Sequence, residues 1–106
     1  MMAWIALFLA GFFEIFWAIC LKYTEGFSRL YPSLLTGAGM AVSFFFLSYA
    51  LKSLPLGTAY AVWTGIGSVG TVIYGIYFFG ESTSLLRLTC ISLICLSIIG
   101  LNLSEK

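Results

Sequence analysis

The chain has 106 residues, 61% of them hydrophobic and 8% charged, with five Lys plus Arg, four acidic residues, no His and a net charge of +1. Soluble domains carry about a quarter charged residues, so this composition excludes an ordinary water-soluble fold, and the near-neutral balance excludes an electrostatic nucleic-acid binder. A membrane span takes about 20 apolar residues, so the length admits at most four spans and leaves no room for a soluble domain.

The first apolar stretch covers residues 2–21. It lacks a basic start and is interrupted by Glu14, so it reads as a span and not as a signal peptide. Glu14 lies near its middle, within about one helical turn of the midpoint. It is the one ionisable side chain well inside any of the apolar stretches. Such acids are costly in lipid and mark ion or proton paths. No intramembrane Lys or Arg neutralises it. Glu14 is therefore either protonated or paired with a cation from outside the protein, and these are the two half-states of a proton/cation exchanger. A permanently protonated, purely structural Glu is the alternative. Helical spacing puts Ala10, Gly11, Trp17 and Ala18 on the Glu14 face. The small residues leave room, and the Trp17 indole offers an N–H and a cation-attracting ring.

Lys22 to Arg29 form a polar turn containing Gly26. The second stretch, residues 30–51, carries Thr36, Gly39, Met40 and Ser43 on one stripe, with Phe44, Phe45 and Phe46 expected to face elsewhere. Ser43 either donates to a carboxylate or bonds its own backbone. Lys52 to Pro55 separate it from the third stretch, with Pro55 suited to a helix start. That stretch, residues 56–79, places Tyr60 and Trp63 on one face. Its Gly65 and Gly67 suit close packing or a bend in the helix. Gly80 predicts a helix stop and Ser82 to Ser84 an N-cap. The fourth stretch, residues 85–103, is uncharged apart from Arg87 at its start, with the small Cys90 and Ser97 seven apart on one face as a packing or dimer surface. In lipid the backbone must satisfy itself, so all four stretches are predicted helices. Cys20, Cys90 and Cys95 are an odd number without His, which points to apolar packing and to no metal site.

Lys22, Arg29 and Arg87 flank one side of the membrane, and Lys52, Lys106 and the terminal amine the other. The positive-inside rule therefore selects no orientation. No internal repeat supplies the two inverted halves common in transporters. Insertion in both orientations, giving an antiparallel homodimer, would supply them.

Taken together, Glu14, Lys22, the Glu25-Gly-Phe-Ser-Arg-Leu-Tyr-Pro32 run and the Pro55-Leu-Gly-Thr-Ala-Tyr-Ala-Val-Trp-Thr-Gly-Ile-Gly67 block resemble the small multidrug resistance transporters over essentially the whole chain. The resemblance implies an all-α, multi-pass integral membrane protein of a bacterial inner membrane. It implies a single four-helix domain over residues 1–106, paired as a dual-topology antiparallel homodimer. It implies no cofactor and no enzymatic step. Two copies of Glu14 would line one pocket where protons and substrate compete. Trp17 and Met40 stand where the multidrug branch carries Gly and Tyr, and Glu14-Ile-Phe-Trp17-Ala looks like the guanidinium-exporter branch. On that likeness Glu14 binds guanidinium or a proton, Trp17, Ser43 and Trp63 hydrogen-bond and orient it, and Tyr60 closes the pocket wall. Cys90 and Ser97 would pack the dimer. The expected function is proton/guanidinium antiport. The alternatives are a broad exporter of quaternary ammonium cations, a non-transporting accessory subunit, and one half of a heterodimer.

Overall fold

The computed structural model describes residues 2–104. Four helices follow one another: α1 Met2–Tyr23, α2 Leu30–Ala50, α3 Leu56–Phe79 and α4 Leu85–Ser104. All four are long and apolar enough to cross a membrane, with mean hydropathy between 1.4 and 2.1. The helices coincide with the four apolar stretches to within one or two residues. The terminal amine, Glu105 and Lys106 lie outside the described residues.

The connections follow from local chemistry. Thr24 is completely buried; its hydroxyl donates to the Leu21 carbonyl at 2.7 Å and accepts from the Phe27 N–H at 3.1 Å. Its carbonyl takes the Ser28 and Arg29 N–H groups. The chain then turns through three consecutive left-handed residues, Glu25, Gly26 and Phe27. Pro55 precedes α3, and its carbonyl accepts the Ala59 N–H at 3.0 Å. Gly80 ends α3 at φ +63°, and the Glu81 N–H returns to the Gly75 carbonyl. That closure requires a left-handed residue, which glycine adopts without a Cβ clash. Ser84 starts α4 by accepting the Arg87 N–H at 3.3 Å.

α1 is the central helix and packs against both α2 and α3, whereas α4 touches only α3 among the described residues. The molecule measures 43 × 35 × 17 Å. Its smallest dimension is under two helix diameters of about 10–12 Å, so few side chains are enclosed. The core is Ala6, Leu7, Ala10, Ala50, Ala59, Val62 and Trp63. The expected stripe of α2 is seen: Thr36, Gly39 and Ser43 are buried. The phenylalanine run does not all face away, because Phe46 stacks on Phe13 of α1 at 6.1 Å and Phe44 contacts Trp63 at 5.7 Å. α4 has no buried residue. Its Ile94 and Ile98 rest on Gly65 of α3.

Candidate functional site

The site forms where α1 crosses α2 and α3 at mid-span. Small residues permit the approach. A Cβ on Gly39 would meet Phe16 and the Trp17 Cβ at 2.8 and 2.9 Å, so α2 touches α1 almost backbone to side chain there. On the other flank, a Cβ on Gly67 would overlap the Glu14 carboxyl group. Gly67 is thus the seat of that carboxylate on α3. One turn toward the start of α1, Gly11 likewise receives Ile66. Glu14 Oε1 and Trp17 Nε1 are both buried and have no hydrogen-bond partner among the described residues. Buried polar atoms are almost always satisfied, so an unpaired acceptor and an unpaired donor three residues apart make this the candidate binding point.

Ser43 and Trp63 lie on the α2 and α3 walls and are buried. The Ser43 hydroxyl donates to the Ala10 carbonyl at 2.6 Å, and the Trp63 indole N–H donates to Ser43 Oγ at 2.9 Å. This differs from the expected hydrogen bonds of Trp17, Ser43 and Trp63 onto Glu14. The Ala10 carbonyl lies one turn before Glu14 in α1, and it captures the hydroxyl because Ser43 reaches α1 at that level. Tyr60 packs on Trp63 at 5.5 Å between ring centroids and is 54% exposed. The structure therefore brings Glu14, Trp17, Ser43 and Trp63 together, with Tyr60 at the outer edge of the same wall.

Gly65 and Gly67 occur within an unbroken α3, where both serve as contact points. Cys90 and Ser97 are exposed on α4, away from Glu14. Sequence reading missed the Ala10 carbonyl as an acceptor and Gly67 as the Glu14 seat. Both follow from which helices are neighbours, which spacing along one helix does not encode. The central position of Gly67 in its span was the available signal.

The model of the family described as Small Multidrug Resistance protein matches residues 2–94. The chain is 61% identical over 104 residues to a protein named Guanidinium exporter from Yersinia pseudotuberculosis serotype I (strain IP32953), covering 98% of this chain and all of the relative. It is 58% identical over 104 residues to a Guanidinium exporter of Proteus vulgaris, with 98% of this chain and 100% of the relative covered. A Guanidinium exporter of Escherichia coli (strain K12) is 58% identical over 103 residues, covering 97% of this chain and 98% of the relative.

Proposed function

The chain belongs to the Small Multidrug Resistance protein family, and on that premise we propose that it exports guanidinium or small guanidinyl cations in exchange for protons. Membership makes it a multi-pass membrane transporter, and its substrate is read from the site together with the names its relatives carry. The carrying observation is the buried Glu14 Oε1, unpartnered beside an unpartnered Trp17 N–H. A planar guanidinium satisfies a carboxylate through two parallel N–H···O bonds. A quaternary ammonium has no such donors, and the bulk of Trp17 beside Glu14 leaves it less room.

Glu14 then works as a two-state group. Ionised, it holds guanidinium; protonated, it is neutral and releases the cation. The Trp17 ring presents a face to the bound cation. When the site is loaded, Ser43 and Trp63 turn from the Ala10 carbonyl toward Glu14. Gly65 and Gly67 lower the stiffness of α3 for the change between inward-open and outward-open forms. The functional unit is an antiparallel homodimer with two Glu14 carboxylates facing one pocket, and α4 supplies the dimer contact through Cys90 and Ser97. The wholly unburied α4 supports that pairing. Two carboxylates for one monovalent cation provide for more than one proton per substrate.

The test is purified protein in liposomes under a proton gradient, with guanidinium and a tetraalkylammonium supplied in parallel. Guanidinium flux coupled to protons, lost in Glu14→Gln, is the expected result. Flux of the tetraalkylammonium with none of guanidinium would transfer the chain to the multidrug reading.

A further inference from the structure

Above the Glu14–Gly67 contact, toward the end of the molecule that carries the α1–α2 and α3–α4 connections, lies a cavity of about 90 Å³ between α1 and α3. Its walls follow the two helices in i, i+4 steps from one turn beyond Glu14 and Gly67 to the surface: Ala18 and Lys22 on α1, Thr71 and Gly75 on α3. Tyr74 and Phe79 complete the sides, and Glu81 stands at the mouth. The Thr71 hydroxyl donates to the Gly67 carbonyl, so the floor of the cavity and the seat of Glu14 share one peptide unit. The unpartnered Glu14 Oε1 lies against that same glycine.

At the mouth, the Glu81 carboxylate packs against Gly75 and pairs with Arg87 of α4. Arg87 also donates to the Ser82 carbonyl at 2.9 Å. Lys22 Nζ lies over the Phe79 ring, 5.0 Å from its centroid, and makes no ion pair among the described residues. The other titratable groups near the cavity are Tyr23 on α1, which packs on Phe79, and Cys20 on α1 beside Tyr74. α2 carries no charged side chain; its Gly39 packs on Phe16 and Trp17, and its Ser43 bonds the Ala10 carbonyl.

From this arrangement we infer that the α1–α3 cavity is a water-filled proton-access site for Glu14, contained within a single protomer, with Glu81 as its carboxylate mouth and Thr71 as the residue that positions the innermost water. The inference rests on the exchange reading above. The volume exceeds what one water needs, and Glu81, Lys22, Tyr74 and Thr71 supply partners for a short chain of them. A guanidinium ion is a poor occupant, because it would sit beside two fixed cations, Lys22 and Arg87. A proton is delivered as a transfer along hydrogen bonds and does not reside there. A proton enters the chain from bulk water at the mouth, where the Glu81 carboxylate orients the outermost water as an acceptor. The chain gives one to Glu14, whose carboxylate becomes a neutral carboxyl, and guanidinium leaves with its charge. Charge and protons balance, since one H⁺ enters for each carboxylate neutralised. Substrate then uses the pocket under Trp17 while protons use a separate door.

The experiment measures two quantities in parallel: the rate of proton uptake by Glu14 after a pH jump, and guanidinium affinity at equilibrium. Thr71→Val keeps the side-chain shape and removes the hydroxyl; Thr71→Ser keeps the hydroxyl. Thr71→Val and Glu81→Gln are expected to slow proton uptake about fivefold or more, the loss of one hydrogen bond from a transfer path, with affinity within about twofold. Thr71→Ser should match the wild type. In a background lacking the three native cysteines, Thr71→Cys should react with a small water-soluble thiol reagent supplied on both sides of the membrane. Unchanged uptake in both Thr71→Val and Glu81→Gln, or no labelling of Thr71→Cys, overturns the inference. If the wild type exchanges no guanidinium at all, the transport reading falls instead, while the labelling and pH-jump results still decide the access site.

Discussion

At the scale of single residues, the site depends on what Gly67 lacks. The space of its missing Cβ is filled by the Glu14 carboxyl. Gly67→Ala forces that carboxylate to swing away, with a helix former put in place of a weak one. The expected outcome is a folded protein whose guanidinium affinity falls at least about tenfold, roughly 1.4 kcal/mol, measured by calorimetry beside circular dichroism. Ser43 is the complementary case. Ser43→Ala leaves the buried Trp63 N–H without its acceptor, and an orphaned buried donor costs about 1–3 kcal/mol. A lowered unfolding midpoint in detergent checks this, and it is expected even where substrate is absent. Proton competition gives a third outcome at this scale. On the proposed exchange, in which Glu14 holds either a proton or the cation, apparent guanidinium affinity should fall as pH falls, and Glu14→Gln should abolish binding at every pH. Residual pH-dependent binding in Glu14→Gln would place the titrating group elsewhere.

At the scale of elements, the four helices were legible because lipid forbids unsatisfied backbone, so long apolar stretches have one solution. The breaks were legible too, since Gly80 and Ser84 have the conformations and bonds their residue types favour. Glu14 with Trp17 was legible from helical spacing alone. The parking of Ser43 and Trp63 on the Ala10 carbonyl was not, because it depends on the relative depth of three helices. Nor was the first connection, whose left-handed Glu25 and Phe27 contradict their residue preferences. Thr24 overrides those preferences with the hydrogen bonds of its hydroxyl, N–H and carbonyl and with complete burial. Thr24→Val removes the hydroxyl at constant shape. It should destabilise the α1–α2 pair by about 1–3 kcal/mol, seen as faster hydrogen exchange confined to that turn.

At the scale of the whole molecule, the flat shape and an α4 without buried residues leave an apolar face for lipid or for the second copy proposed above. The exposed residues Leu86, Cys90, Leu93, Ser97 and Gly100 of α4 recur at coiled-coil spacing, with Leu93 and Ser97 at the edge of the groove between α4 and α3. In an antiparallel pair centred between Leu93 and Ile94, Cys90 of one copy lies beside position 97 of the other, about 10 Å from its own equivalent. With Cys20 and Cys95 replaced by Ala, Ser97→Cys should therefore form a disulfide with Cys90 across the pair, and Cys90 alone should form none. A dimer cross-linked through Cys90 to Cys90 would indicate parallel copies. The bond from Trp63 to Ser43 to Ala10 bears on how such a pair moves. It ties α1, α2 and α3 at one depth, well inside the membrane and away from both ends of each helix. A tie in that place is a pivot. While it holds, α1, α2 and α3 are held together at that depth, and their ends are left to spread or close about it. On the proposed exchange, loading the site draws Ser43 and Trp63 away from the Ala10 carbonyl, so the arrival of substrate is also what frees the three helices from one another.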